Sequence, residues 1–314
     1  MSIIDVKKLF GFDSYVEKIE VPEVPQCRKQ DIPVPSSLYV FNKDALNDLL
    51  MYLAEPINDC LYISGSAGCG KTSLVLNAAG YLKWGVQQIT VSAQTEAADL
   101  IGRPILKKGE IVFEYGVLAN AMKHGEILLI NEIDLMKPGE LASLNDVLEG
   151  RPLTVTQNNG EVIKPAKGFR VIVTANTKGN GEGFGNYQGT KILNVAFLDR
   201  FRFLEMTYPE REAEKRIVQK CNPNLKEDFI EKILDMADAF RMTDKGEGDN
   251  TLSAPFSTRA LVRICCMLGQ SDKITLNKAL DMSYGSKLPE EQRAFVTRMC
   301  VDFFGNKAAE KNPN

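Results

Sequence analysis

The sequence is short of several things, and each shortage removes a class of function. No apolar run approaches the roughly 18 to 20 residues that cross a bilayer. The opening MSIIDVKKLFGFD has neither a basic start nor a long apolar stretch, so neither a membrane span nor a signal peptide is expected and a cytosolic location is. There is one histidine, His124, in 314 residues. With no second imidazole, and with GVLANAMKH reading as a helix that runs into Gly125, it is expected at a helix end rather than on a metal. The seven cysteines are odd in number and contain no C-x-x-C, which argues against a disulfide framework and a zinc knuckle and for reduced core thiols. An excess of positive charge is missing as well: the formal net charge is -3, so no global field draws the chain to nucleic acid.

What is present suits a globular protein. With 44% hydrophobic and 25% charged residues, the chain can bury a substantial core and is expected to split into about two domains. Residues 1–36 contain VPEVPQCRKQDIPVP, whose prolines predict an extended arm laid across a surface. Residues 37–207 alternate short β-rich runs with helical segments, the pattern of a parallel sheet covered by helices; CLYISG, QITVSA, EILLIN and FRVIVTAN are the strand candidates. From residue 208 to 305 the strands stop. Phe229, Ile230, Ile233, Leu234, Ala237 and Phe240 recur at helical spacing after a cap at Asn224, and Leu261, Ile264, Cys265 and Leu268 do so after Ser257. Residues 306–314 are polar and read as a flexible tail.

One stretch carries specific chemistry. GSAGCGKTS, Gly65 to Ser73, matches G-x-x-x-x-G-K-[ST] between a strand and a helix. The glycines let Gly65, Ser66, Ala67, Gly68, Cys69 and Gly70 wrap their N–H groups around phosphates, and the helix N-terminus adds positive dipole. Lys71 would reach the β and γ phosphates, Thr72 would ligate magnesium, and Ser73 closes the motif. Further on, Glu132 ends the strand EILLIN beside this loop, where a carboxylate orients and deprotonates an attacking water. Asn176 ends the next strand and would hold the same water. Arg200 in FLDRFRF and Arg259 in FSTRALVRICCML are cations suited to transition-state charge, with Arg202 and Arg263 as nearby competitors.

That ordered set, the phosphate loop followed by Glu132, Asn176, Arg200 and Arg259, resembles an AAA+ ATPase: a three-layer α/β/α core on a parallel sheet, then a small all-α lid. Two hairpins, RPILKKGEIVFEYG and LTVTQNNGEVIKP, look like the insertions of the MoxR branch. Within it, LFGFDS, PSSLYVFNKDA, ADLIGRPILKKGEIVFEYGVLANAM and VTANTKGNGEGFGNYQGTKILNVAFLDRF resemble the CobS subunit of aerobic cobaltochelatase from about residue 8 to 305. The resemblance implies ATP and Mg2+ as ligands, Glu132 as hydrolytic base, Asn176 as sensor 1, Arg200 as arginine finger and Arg259 as sensor 2. It also implies a homo-hexameric ring, a partner with a von Willebrand A domain (CobT-like), and service to a large chelatase subunit. One residue departs from the pattern. The family's strand ends Asp-Glu and this one ends Asn131-Glu132, leaving an amide oxygen on the magnesium side where a carboxylate is usual. Slow or magnesium-demanding hydrolysis is expected, with two alternatives: a nucleotide-gated scaffold, or a remodeller of DNA or RNA through Lys107, Lys108 and Lys164.

Overall fold

The computed structural model describes residues 2–23, 26–181, 189–244, 252–271 and 273–308. Strands β1 (Ser2–Asp5) and β2 (Lys18–Val21) pair antiparallel, Ser2 opposite Val21 and Asp5 opposite Lys18. Between them the helix Val6–Phe10 is capped by Asp5, whose carboxylate accepts the Lys8 amide at 2.8 Å, and is ended by Gly11 at φ 75°. The extended arm expected over residues 1–36 is therefore corrected: the segment before Pro22 has no proline to prevent a local fold, and Gln26–Asp31 adds a 3-10 turn.

The stretch that follows is strapped down. Arg28 donates from Nε (3.1 Å) and Nη2 (2.6 Å) to the fully buried carboxylate of Glu126. The Ser36 amide donates to Asn77 Oδ1 at 2.7 Å, and the Pro33 carbonyl sits 2.6 Å from where a Cβ on Gly80 would stand. Asn77 and Gly80 both lie on the helix Lys71–Leu82.

Next in the chain come β3 (Cys60–Gly65), β4 (Val86–Thr90), the hairpin of β5 (Gly102–Lys107) and β6 (Glu110–Tyr115), and β7 (Ile127–Asn131). They are followed by the hairpin of β8 (Leu153–Val155) and β9 (Glu161–Ile163), then β10 (Arg170–Ala175) and β11 (Phe201–Met206). Five of these form one parallel sheet in the order β11-β3-β10-β7-β4. Its three central strands, β3, β10 and β7, are almost wholly buried, every residue of β7 included, as a parallel sheet covered on both faces requires. This is the α/β core on a parallel sheet that the sequence predicts, with the two hairpins as separate two-stranded sheets. β11 is absent from the strand candidates because FRFLEM alternates like an exposed edge strand, which it is. The β5–β6 turn is made by Lys108 and Gly109, both at positive φ, and the β8–β9 turn by Asn159 and Gly160, also both at positive φ.

A second unit comprises residues 37–42, 67–69 and 207 onward. Its helices, Arg211–Cys221, Glu227–Asp244, Thr258–Gln270, Leu276–Ser283 and Glu290–Phe304, share a core that includes Ile233, Phe240, Phe256, Leu261, Ile264 and Tyr284. Ser257 Oγ accepts the Ala260 amide, as the capping pattern predicts. Asn224 caps nothing: the helix starts three residues later, and it is Asn222 whose side chain accepts the Asn224 amide. Buried Glu214 takes both terminal nitrogens of Arg241 (2.8 and 2.7 Å) and the Thr258 hydroxyl (2.6 Å), which fixes the start of the helix carrying Arg259. The flexible tail expected over 306–314 is corrected for its first residues. Gly305–Ala308 is a 3-10 turn with Ala308 buried, and residues 309–314 lie outside the described residues. No described helix is long and apolar enough to cross a membrane.

Candidate functional site

In a parallel α/β sheet, ligands gather at the carboxyl ends of the strands, at the point where connections turn to opposite sides. β3 is that point here, with β10 on one side and β11 on the other. The loop leaving β3 holds Gly65 (φ 149°), Gly68 (φ 79°) and Gly70 (φ 102°), backbone that a residue with a side chain rarely adopts. Gly70 in the left-handed region starts the helix at Lys71. The Lys71 ammonium is buried and donates to Gly65 O (2.6 Å), Ser66 O (3.1 Å) and Asn176 Oδ1 (3.0 Å). Cys69 is buried, and Ser73 is exposed, its carbonyl taken by Asn77.

β7 and β10 bring the remaining groups. Asn131 Oδ1 accepts the Thr72 hydroxyl at 2.6 Å and the Thr174 hydroxyl at 3.1 Å, while its Nδ2 donates to Ile89 O at 3.4 Å. Glu132 follows at φ 59°, ψ 42°, a left-handed conformation that costs a non-glycine residue about 1 to 2 kcal/mol and marks a position held by its surroundings. Asn176 Nδ2 donates to Glu132 Oε2 at 2.6 Å. One amide side chain thus bridges the lysine of the loop and the carboxylate of the next strand but one. Asp134, fully buried, holds that amide in place: its Oδ2 accepts the backbone N–H groups of Asn176 (3.2 Å) and Thr177 (3.1 Å) and the Thr177 hydroxyl (3.0 Å).

The two candidate arginines are placed differently. Arg200, between the short helix Val195–Leu198 and β11, donates from Nε (2.8 Å) and Nη2 (2.5 Å) to Glu149 Oε1 and from Nη1 to Ala196 O. Its competitor Arg202 is committed to Asp59 by two bonds of 2.7 and 2.8 Å. Arg259 lies exposed on the helix Thr258–Gln270 of the second unit. Residues 67–69 belong to the same unit, and a Cβ on Gly68 would stand 3.6 Å from that of Arg259 and 2.6 Å from that of Ser257. Burial, followed by repulsion from Arg263 and Arg259, lowers the Lys287 ammonium from its ordinary range.

The sequence pattern of the AAA domain (dynein-related subfamily) matches residues 61–201. Two relatives extend the likeness over most of the chain. An uncharacterized protein of Staphylococcus haemolyticus is 31% identical over 78% of this chain and 90% of its own length. One of Staphylococcus epidermidis is 29% identical over 79% and 92%. The chain belongs to the AAA+ ATPase family. Among solved structures, a RuvB variant of Thermotoga maritima superposes with a TM-score of 0.48 at 13% identity, covering 87% of this chain and 73% of that one.

For an AAA+ chain the donor set is suited to a magnesium nucleotide. The Thr72 hydroxyl and Asn131 amide oxygen are hard ligands of the kind magnesium takes, and Gly65, Gly68 and Gly70 hold the loop backbone in the positive-φ curve that a phosphate cradle uses. Sequence reasoning missed three contributors: Thr174, which shares Asn131 Oδ1; Asp134, which holds the Asn176 and Thr177 amides; and Glu149, the partner of Arg200. Spacing alone gives a signal only for Asp134, an acid two residues after Glu132 in a buried turn. His124 ends its helix with Nδ1 2.8 Å from Asn120 O, away from this constellation. Burial pushes the Cys221 and Cys300 thiols up to about 12, which suits inert core thiols rather than nucleophiles.

Proposed function

We propose that the protein is a CobS-like, MoxR-branch AAA+ ATPase that couples binding and hydrolysis of magnesium ATP, in a homo-hexameric ring, to remodelling or activating a partner protein. The observation that carries this reading is the Asn176 amide bonded at once to Lys71 and Glu132. It supports a scheme in which phosphate recognition and water activation share one network. In it Lys71, with Gly65 to Gly70, binds phosphate, and Thr72 and Asn131 would hold magnesium. When bound, the ion supplies charge neutralisation to the phosphate oxygens. Glu132 takes the proton from the attacking water, and Asn176 orients that water. Arg200 acts from a neighbouring copy, and Arg259 reports the nucleotide to the helical unit. A partner with a von Willebrand A domain, and a large chelatase subunit beyond it, are the clients the resemblance favours. The β5–β6 tip supports a protein client over nucleic acid, because Leu106 and Ile111, 76% and 78% exposed, pair across the hairpin beside Lys107 and Lys108.

Phosphate release with magnesium, measured for the native protein and for Glu132→Gln, tests the reading: the variant is expected to bind nucleotide and to lose at least about 100-fold in turnover. Equal turnover in the two would sink it. A second reading, a ring that assembles on nucleotide and scarcely hydrolyses it, is favoured by one observation, the neutral Asn131 where an acid is usual. In that case the native protein would bind nucleotide and assemble while its turnover already matches that of Glu132→Gln.

A further inference from the structure

The guanidinium of Arg200 is occupied within its own subunit. Glu149 Oε1 accepts its Nε and Nη2, and Ala196 O accepts Nη1. The other oxygen of Glu149, Oε2, is held at 2.6 Å by Arg151 Nη1, and Arg151 in turn donates from Nη2 to Asp146 Oδ1 at 2.7 Å. The result is a chain of alternating charge, Asp146, Arg151, Glu149, Arg200, in which one carboxylate serves two arginines. Beside it is a cavity of about 150 Å³ that Asn145, Asn194, Phe197 and Arg200 help to line, and Asn145 Oδ1 is buried there without a hydrogen-bond partner among the described residues.

We infer that Glu149 is a positioning residue that holds Arg200 against its own subunit until a second copy of this chain presents a bound nucleoside triphosphate to replace it. The inference rests on the reading of Arg200 as a residue acting in trans. The exchange is a competition between anions for one guanidinium. A carboxylate carrying one charge, already shared with Arg151, gives way to a phosphate group carrying more charge and equally able to take two parallel N–H bonds. Docking without nucleotide would strip Arg200 of its counter-ion and supply nothing in return, so assembly is tied to the filled site. Arg151 sets the ease of release: by drawing on Oε2 it weakens the hold on Arg200.

The test follows assembly and turnover against protein concentration with the full chain. Assembly is measured by sedimentation with magnesium and a non-hydrolysable ATP analogue, and turnover by phosphate release. Glu149→Gln is expected to lower the half-assembly concentration roughly three- to fivefold, the worth of a partly exposed ion pair, and to do nothing when Arg200→Ala is also present. Arg151→Gln, on the exposed side of the chain, leaves Glu149 to Arg200 alone and is expected to raise the half-assembly concentration; it decides the question if Glu149→Gln loses its melting transition. An unchanged or raised half-point for Glu149→Gln, or an unchanged or lowered one for Arg151→Gln, overturns the proposal. Failure of the underlying reading looks different: Arg200→Ala would then keep native turnover at every concentration.

Discussion

At Asn131 a single oxygen accepts two hydroxyls, from Thr72 and Thr174, and the amide nitrogen is satisfied by the Ile89 carbonyl. The side chain is therefore settled without a metal, which an aspartate there would not be, because its second oxygen would face that carbonyl. Asn131→Asp is expected to cost about 1 to 3 kcal/mol of stability in the absence of magnesium. It is also expected to lower the magnesium concentration giving half-maximal turnover by about tenfold or more. Melting curves and a magnesium titration of phosphate release measure the two effects, and a magnesium requirement that does not move would remove Asn131 from the metal side of the site. Asp134 acts through backbone instead. Its Oδ2 gathers the amides of Asn176 and Thr177, so Asp134→Ala leaves two part-buried N–H groups without that acceptor. A loss of about 2 to 4 kcal/mol in denaturant unfolding is expected, with Asp134→Asn, which keeps an acceptor oxygen, losing less. Equal losses for both variants would show that charge, not acceptance, is what the turn needs.

At the scale of elements, the helix after the phosphate loop is also the bed of the N-terminal strap. Gly80 lies within it, and a Cβ there would meet Pro33 O at 2.6 Å and Pro35 Cγ at 2.8 Å. An isolated helix would gain about 1 kcal/mol from Gly80→Ala. In this chain the gain is expected to be cancelled by displacement of the strap, seen as faster proteolysis within residues 26–36 and no rise in melting temperature. A higher melting temperature with unchanged proteolysis would mean that the strap shifts at no cost. How much of this was legible follows from what each element depends on. β3, β7 and β10 are runs of apolar residues ending in turn or polar positions, and the hairpin turns need residues that tolerate positive φ, so composition marks them. The strap is invisible because its hold, Arg28 on Glu126 and Pro33 on Gly80, joins segments 98 and 47 residues apart. Glu149 is hidden for the same reason: nothing in LNDVLEGRP says that its carboxylate meets a guanidinium 51 residues on. The phosphate loop is legible because its chemistry is local.

For the whole molecule, the proposed function leaves transition-state charge to be met across a subunit boundary, since among the described residues of one chain Arg200 is turned to Glu149 and Lys71 is bonded to its own loop and Asn176. On that proposal a neighbour would complete the site, and the small net charge of -3 puts little self-repulsion in the way of association. The arrangement makes a prediction that no single-chain scheme shares. Glu132→Gln supplies a good Arg200 but no base; Arg200→Ala supplies a good base but no cation. Each alone is expected to be nearly inactive. Mixed, the two form junctions in which the Glu132 of the second variant faces the Arg200 of the first, and turnover is expected to rise above the sum of the separate rates. It should fall away on dilution more steeply than protein concentration, because each working site needs two chains. Co-capture through different tags shows whether mixed assemblies form. Mixed assemblies with no recovered turnover would place Arg200 in service to its own subunit, and Glu149 would then have to be read as a structural partner of that arginine.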